Sequence, residues 1–542
     1  MIQTSSSPSF RPPGTLDLRS ALAPYAGPWN QRLAAHLLRR AGFGGSPADV
    51  ARLASLSMNA AVDSLVHFPA SDHLPAGPAD LPDPEMQQRL LLQQAGLLPR
   101  RQPAAQRFPQ ARLRIPNPLN PGANFVIPLG GAASSAPVRQ AQISDSPAQL
   151  EERKEIMQQI GMLRRRALIA LQTWWLDRMI QTPAPLQEKM TLFWHGHFTS
   201  AIFQKGITPQ EMLAQNQLFR SYALGNIRKL TLAVSQDPAM LKYLDNRASV
   251  KAHPNENYAR ELMELFTLGL GNYTEQDVRE SARAFTGWTV RGPLQGGGFF
   301  FNAAQHDDGV KTFLGRTGNF DGRDIVDIIF EQPAAPRWFA NKLLNYFVYN
   351  DPEPELIDAV AALIKKNDFE LAPVVSTLLR SNVFYSERAY RALVKSPVEF
   401  VVGTYQLFGI RQADQVALGA LNRMGQVLFY PPNVKGWDGG SAWLNSQTIL
   451  ARENFVNTIT HSPQMDAAWL GGGYTMDPKA MSTKLVGTIL QGDASPDALG
   501  KLEDYLSGAG TSALGNLSGE NFEERVRSAA YLTMAMPAYQ LC

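Results

Sequence analysis

Residues 253–288 read HPNENYARELMELFTLGLGNYTEQDVRESARAFTGW, and the pattern of this stretch decides the fold class. Asn255 or Asn257 is suited to cap a helix, and Glu256 favours the positive end of that helix. Apolar residues then recur at helical spacing up to Gly269, a residue typical of helix ends. With a further helix expected over 274–286, the stretch indicates two consecutive helices.

The helical pattern continues on both sides of this stretch. One helix is predicted from Trp29 to Arg40, another after Ser46, a long one from Ser146, and one over 185–198. Further helices are predicted at 209–223, 226–235, 237–245, 322–330, 334–348, 354–366, 370–379, 387–408, 412–423 and 442–461. The sequence therefore predicts a mainly α fold, a large multi-helix α-helical domain with one small β element near 288–318.

Proline is concentrated in one place. Of the 38 prolines, 14 fall within residues 69–147, which favours a loop or semi-rigid insert over a core. Within it, QQRLLLQQAGLL (87–98) is a candidate short helix and IPNPLNPGANFVIPLGG (115–131) a candidate extended segment. The predicted organisation comprises a disordered tail (1–28), N-terminal helices packing on the main body (29–68), the Pro-rich insert (69–147), the main helical body (148–465) and a C-terminal helical tail (466–542).

Composition excludes several classes of function. The 51 basic and 48 acidic residues give a net charge of +3, so the chain lacks the large excess of positive charge that is typical of nucleic-acid-binding proteins. The single cysteine, Cys542, excludes intrachain disulfides and a cysteine-based metal centre, so any metal is left to His and carboxylate ligands. No signal peptide or membrane span is visible. We therefore expect a cytoplasmic protein, or a periplasmic or exported one if a partner carries it.

Two histidines lie two residues apart in FWHGHF (193–198). On a regular helix His195 and His197 point to different faces, but a helix break at Gly196 would let the rings converge on a metal or a proton-transfer site. The alternative is that backbone groups at the helix end satisfy both rings.

Carboxylates cluster on the helix that follows His253. Asn257, Glu261 and Glu264 share one face at spacings i, i+4 and i+7, and Arg260 is expected to pair with Glu264. This face suits oxygen coordination of a divalent cation or acid–base chemistry. The alternative is a solvated face with ordinary salt links.

Two further polar groups follow. Glu280 and Arg283 share a helix face, for which a buried structural ion pair is the favoured interpretation. The loop with His306, Asp307 and Lys311 places an imidazole, a carboxylate and an ammonium within a few residues, which is either a functional loop or a hydrogen-bonded turn.

The last two motifs lie nearer the C-terminus. In KSPVE (395–399), Ser396-Pro397 is a helix start, and Lys395 can pair with Glu399. The stretch PPNVKGWDGG (431–440) is suited to form a rigid aromatic wall on which a ring or sugar stacks. A structural role is the favoured interpretation of both.

These motifs, taken together and in order, resemble the DUF1800 family of bacterial proteins. WHGHF, the 253–288 stretch, HDDGVKTFLG (306–315), KSPVE and PPNVKGWDGG carry the resemblance, which covers residues 29–460. The family name implies no reaction. The resemblance implies association with a second family, DUF1501, whose members look like exported sulfatase or phosphatase relatives, and an envelope or secreted context.

Three hypotheses on function remain open. The first is a metal-dependent enzyme, whose divalent ion is of unknown identity, with a His/Glu/Asp pocket. Its candidate metal ligands are His195, His197, His253, Glu256 and Glu261. Its candidate catalytic residues are His197, Arg260, Glu261, Glu264, His306, Asp307 and Lys311. The second is a metal-free acid–base enzyme that uses Glu261 and His306. The third is a non-catalytic assembly or binding partner of an exported DUF1501-type protein or a cell-surface polymer.

Overall fold

The structure is a computed structural model that describes most of the chain. The described residues are 18–68, 75–97, 112–116, 124–128, 146–291, 297–463, 465, 477–508 and 522–542. Their architecture is mainly α, as the sequence predicts.

The N-terminal region forms three helices, where the sequence indicates two. They are α1 (Gln31–Ala41), α2 (Pro47–Ala54) and α3 (Met58–Val66). The second predicted helix is divided because Ser57 caps a new helix by accepting a hydrogen bond from the backbone N–H of Ala60. Of the predicted tail, residues 18–28 are described, and they hydrogen-bond to 380–383 through Tyr25 and Ala23.

The described parts of the Pro-rich insert contain a helix and a strand pair. Helix α4 (Pro84–Gln94) confirms the candidate short helix. Strands β1 (Arg112–Pro116) and β2 (Asn124–Pro128) are antiparallel and lie largely in the segment expected to be extended. Helix α4 packs on the first half of α5 (Pro147–Gln181), a 35-residue helix with a Ser146 capping box.

Six helices follow in the centre of the chain. They are α6 (Pro185–His197), α7 (Pro209–Ser221), α8 (Ile227–Ser235), α9 (Pro238–Tyr243), α10 (Glu256–Glu261) and α11 (Glu275–Ala284). Between α10 and α11 the backbone of Leu262–Thr267 is π-helical, a rare form that is frequently found at functional sites.

The β element falls where the sequence places it. Strand β3 (Trp288–Val290) pairs antiparallel with β4 (Phe299–Phe301), and β5 (Lys311–Phe313) pairs with β6 (Arg316–Gly318). The region thus forms two short antiparallel pairs rather than one.

The remaining helices surround the same core. They are α12 (Gly322–Glu331), α13 (Ala334–Phe347), α14 (Pro354–Lys366), α15 (Leu371–Arg380), α16 (Pro397–Leu407), α17 (Gln415–Arg423), α18 (Ser446–Thr460), α19 (Pro478–Leu490), α20 (Pro496–Ser507), α21 (Phe522–Ala535) and α22 (Pro537–Gln540). The predicted helix 387–408 is wrong over its first ten residues, of which 387–391 form turns and 392–396 are irregular, with Val394 in a β-bridge to Leu541. Helix α16 starts at Pro397 because the Ser396 hydroxyl caps it, and Arg391 has a left-handed φ of 52°.

One apolar core connects these elements from Ala21 to Tyr539. A separate small cluster, Leu92, Ile156 and Ile160, joins α4 to the first half of α5. Among the described helices, none is long and apolar enough to cross a membrane.

Candidate functional site

A cleft of about 510 Å³ lies where three of the sequence motifs meet. One wall comes from the end of α6, which carries FWHGHF, and another from one face of α13. Ser396 and Glu399 of the KSPVE motif and the loop 435–443 complete it. The cleft therefore gathers motifs that are more than 200 residues apart in the sequence.

The two motif histidines do not converge. Helix α6 continues through Gly196 to His197, so the helix break required for convergence is absent. The backbone N–H of Phe429 donates to Nε2 of His195 over 3.1 Å, and Nε2–H of His197 donates to the Phe266 carbonyl over 2.9 Å. The rings point to opposite sides because residues i and i+2 lie on different helix faces.

His197 is the motif histidine that lines the cleft. Since the Phe266 carbonyl can only accept, Nε2 of His197 carries the proton and Nδ1 keeps its lone pair. Burial, assisted by the nearby Lys342 ammonium, lowers the pKa of His197 to about 3. His197 is therefore a neutral hydrogen-bond acceptor at neutral pH, and its link to Phe266 ties the cleft to the π-helical segment.

His195 does not line the cleft, but its ring contacts Trp437, which does. Its ring is buried among Trp175, Phe429 and Trp437, at centroid distances of 5.1–5.7 Å within this group. Burial lowers its pKa to about 3. His195 is thus neutral, and its ring packs against Trp437 of the cleft.

Helix α13 presents a polar face to the cleft. None of the motifs that the sequence singles out includes this face. Trp338, Asn341, Lys342 and Asn345 follow each other at spacings of three, one and three residues, so they occupy one side of the helix. The opposite side, which includes Phe339, is buried in the core. Asn345 Nδ2 donates to the Asn341 side chain over 2.8 Å, which fixes both amides.

Lys342 is the charged group of this face. Its ammonium lies 4.9 Å from the centroid of the Trp338 ring, and no carboxylate among the described residues pairs with it. Burial lowers the pKa of Lys342, and the neighbouring Lys435 lowers it further. The cleft therefore contains a half-buried cation without a direct ion-pair partner among the described residues, although Asp351, Glu399 and Asp438 also line the cleft.

A buried ion pair underlies the KSPVE side of the cleft. The Lys189 ammonium contacts Glu399, and the backbone N–H of Ser396 donates to the same carboxylate over 2.6 Å. Burial acts to raise the pKa of Glu399, but Lys189 outweighs it and the pKa is lowered. The Tyr346 hydroxyl donates to the Lys189 carbonyl over 3.0 Å. Glu399 is therefore ionised. The spacing within KSPVE predicts Lys395 as its partner, but the structure pairs it with Lys189 instead.

The loop 431–440 docks directly on α6. At Gly436, where φ is +84°, a Cβ atom would lie 2.4 Å from the Gly196 carbonyl oxygen. The Thr199 hydroxyl contacts the Val434 carbonyl. The absence of a Cβ atom at Gly436 therefore allows the two backbones to touch, and this contact brings Trp437 and Asp438 to the cleft.

The carboxylates of the 253–264 stretch lie in a separate surface network. Arg260 pairs with Glu275 over 2.7 Å and with Glu256 over 3.3 Å, so the expected pair with Glu264 is not formed. Glu264 instead accepts from the Tyr273 hydroxyl over 3.1 Å. The π-helical turn after Glu261 changes the spacing on which the predicted face depends.

Glu261 and His253 belong to the same stretch of sequence. Glu261 is half-buried, and burial together with Glu264 raises its pKa. His253 is exposed. Neither residue lines the cleft.

The 306–311 loop is a hydrogen-bonded turn clamped by Arg283. The Arg283 guanidinium binds Asp307 over 2.7 and 3.2 Å and Glu280 over 2.7 Å, which confirms the predicted link between Glu280 and Arg283. His306 Nδ1–H donates to the Thr286 carbonyl over 2.9 Å.

Lys311 belongs to the same turn. Its buried ammonium donates to the Asp307 and Gly309 carbonyls over 2.6 and 3.0 Å. His306, Asp307 and Lys311 are therefore engaged by Thr286, by Arg283 and by the loop's own carbonyls, and none of them lines the cleft.

The predicted metal ligands are likewise not assembled. Over the described ranges, no three His, Cys, Asp or Glu side chains are grouped so that they could hold a metal ion. Of the residues predicted to be catalytic or metal-binding, the structure brings only His197 to the cleft.

Comparison with known proteins identifies the chain at the level of family. A family model described as "Protein of unknown function (DUF1800)" matches residues 36–541, nearly the whole chain. No curated protein and no solved structure matches it.

Proposed function

The chain belongs to the DUF1800 family, whose description assigns no function, and from its geometry we propose that the cleft binds a saccharide that carries an acidic group. The observation that supports this most is the lining itself. Three indole rings and two mutually hydrogen-bonded amides line one cavity of about 510 Å³, a size within the range of ligand pockets.

Aromatic and amide groups suit the two surfaces of a sugar ring. The indoles of Trp338, Trp437 and Trp443 line the cleft and offer flat apolar faces against which the C–H face of a pyranose packs. Asn341 and Asn345 offer both donors and acceptors, as sugar hydroxyls require. Since these amides are already oriented by each other, little side-chain entropy is lost on binding.

Lys342 is the reason to expect an acidic group on the saccharide. A half-buried ammonium without a carboxylate partner is poorly solvated, so a carboxylate or sulfate on the ligand would restore a counter-ion. The His197 ring beside it is neutral, with Nδ1 as an acceptor only, and does not compete for that anion. This agrees with the polymer-binding alternative drawn from the sequence.

Binding to a glycan array tests this function. We expect the purified full chain to bind acidic polysaccharides in preference to neutral ones. Substitution Lys342→Met should weaken that binding about tenfold or more, the loss expected for one charged hydrogen bond. Trp437→Ala should weaken binding to acidic and neutral glycans alike, because stacking does not depend on charge.

Trp174→Ala is the matched control, since Trp174 is half-buried but lies outside the cleft. It should leave glycan binding unchanged. A wild-type protein that binds no glycan, or an equal loss of binding in Trp174→Ala and Trp437→Ala, would contradict the proposal.

The enzyme and partner hypotheses stay predictions. The cleft holds His197 but neither Glu261 nor His306, so the geometry favours binding over the acid–base pair proposed from the sequence. Bound-metal analysis of the purified protein tests the divalent ion, and co-purification with a DUF1501-type protein tests the partner.

A further inference from the structure

A second cavity, of about 310 Å³, is lined by cations and by no acidic residue among those described. It lies between α1, the segment before α16, and α19. Arg39, Arg391, Lys395 and Lys484 face it from these three elements. It lies on the opposite side of the KSPVE segment from the cleft, since Lys395 lines this cavity whereas Ser396 lines the cleft.

The charges around this cavity are incompletely paired. Arg391 is satisfied, because Asp493 and the Leu490 carbonyl both accept from it over 2.7 Å. Lys395 is 8% exposed, and its ammonium lies 3.8 Å from the Tyr539 ring centroid without a hydrogen-bond acceptor among the described residues.

Arg39 and Lys484 are also incompletely paired. Arg39 donates to Gln491, but its Nε and Nη2 are buried without an acceptor in the described part of the chain. Lys484 is half-buried and has no carboxylate partner there either. Three of the four cations are therefore left without a negative charge of their own.

Leaving these cations together is costly for the folded protein. Burial lowers the pKa of Lys395, and the positive charges of Arg39 and Arg391 lower it further, whereas Cys542 acts in the opposite direction to a smaller extent. Burial, followed by Arg391, lowers the pKa of Arg39 to about 10. A bound anion would relieve this repulsion, because a buried charge is tolerated when it is paired.

We propose that this cavity binds a tetrahedral oxyanion, the phosphoryl group of a small molecule. Cations approach from three elements, an arrangement that matches a dianion with oxygens in several directions better than a flat monovalent carboxylate. The Thr488 hydroxyl adds a donor at the same wall. The volume is at the lower end of the roughly 300–1,000 Å³ of ligand pockets, which leaves room for a small group attached to the phosphate.

Calorimetric titration of the full chain tests this site. The probes are inorganic phosphate and glycerol phosphate, each compared with sodium acetate and sodium chloride at equal ionic strength. We expect saturable binding of both phosphates, but not of acetate or chloride. Tighter binding of inorganic phosphate or of glycerol phosphate identifies whether the anion is free or carried on an organic group.

Two substitutions locate the binding. Lys484→Met, on a half-buried surface position, should weaken phosphate binding about tenfold or more. Lys395→Met should abolish it and, without phosphate, should raise the melting temperature, because an uncompensated buried cation is removed. A lysine with a merely structural role would instead lower the melting temperature when replaced.

Lys479→Met is the matched control, because Lys479 is exposed on the same helix, α19, but lies outside the cavity. It should bind phosphate like the wild type. Equal weakening by Lys479→Met and Lys484→Met, or equal binding of acetate and phosphate by the wild type, would overturn the proposal. Because Lys484 lies outside the cleft, failure here does not affect the glycan-binding proposal.

Discussion

At the scale of single residues, the histidines show how burial decides a role that residue type leaves open. His195 and His197 are two residues apart, yet one accepts from a backbone N–H and the other donates to a carbonyl. Both rings are neutral because burial penalises the charged form. The sequence predicts that the pair is functional or structural, and the structure assigns His197 to the cleft and His195 to its support.

His195 makes stability depend on pH. Its pKa is about 3 in the folded protein and about 6.5 in an unfolded chain, so the unfolded chain takes up the proton first. Stability is therefore complete above about pH 6.5 and is lost as pH falls towards 3, by about 2 kcal/mol at pH 5. Urea unfolding measures the loss of unfolding free energy between pH 7 and pH 5. This loss should be about 2 kcal/mol smaller in His195→Gln than in the wild type.

The exposed His253 provides the control for this measurement. His253→Gln should show the same fall in stability between pH 7 and pH 5 as the wild type, because its ring is exposed in the folded chain. If His195→Gln loses as much stability as the wild type over this interval, the buried neutral state of His195 is wrong.

At the scale of elements, capping signals made most helix starts predictable from the sequence. Ser146 and Ser396 each precede proline and cap a helix. The prediction failed where an apolar pattern continued without a helix, over 387–396, because left-handed Arg391 and the cap at Ser396 interrupt it. The spacing of apolar residues does not show where such a turn interrupts a helix.

The cleft was less predictable than its motifs. FWHGHF, KSPVE and PPNVKGWDGG were singled out, but their meeting depends on contacts across more than 200 residues. The polar face of α13 was missed altogether. A signal was present, since Trp338, Asn341, Lys342 and Asn345 share one side of a helix whose other side is apolar.

The docking of the 431–440 loop on α6 gives a prediction at this scale. Gly436→Ala combines a left-handed φ with a Cβ atom 2.4 Å from the Gly196 carbonyl oxygen, so the loop must shift. Gly409→Ala is the control, because its φ is also positive but nothing lies within 4 Å of the added Cβ. Thermal unfolding should show a loss of about 1–2 kcal/mol for Gly409→Ala and a clearly larger loss for Gly436→Ala. Equal losses would mean that the close backbone contact does not hold the loop.

At the scale of the whole molecule, one core joins the N-terminal and C-terminal helices. The buried Arg40 on α1 donates to the Val348 carbonyl over 3.0 Å, and Tyr539 on α22 shares a hydrogen bond of 2.8 Å with Thr404 on α16. The mainly α class was predictable because helical periodicity is local. The sequence also predicts that the N-terminal helices pack on the main body, but it does not show that helix α22 joins the same core, because long-range contacts leave no local pattern.

The first half of α5 is the exception to this single core, and it gives a prediction about how stability is distributed. Together with α4 it packs around only Leu92, Ile156 and Ile160, apart from the main core, whereas Leu171 in the second half is buried in that core. Amide hydrogen exchange should therefore be faster over 147–160 than over 167–181, because local opening costs less where few apolar contacts are lost. Ile160→Ala should speed exchange in the first half without lowering the main unfolding transition, whereas Leu171→Ala should lower that transition by about 2–5 kcal/mol. Equal protection along the whole of α5, or a main transition lowered as much by Ile160→Ala as by Leu171→Ala, would show instead that this helix unfolds as one unit with the core.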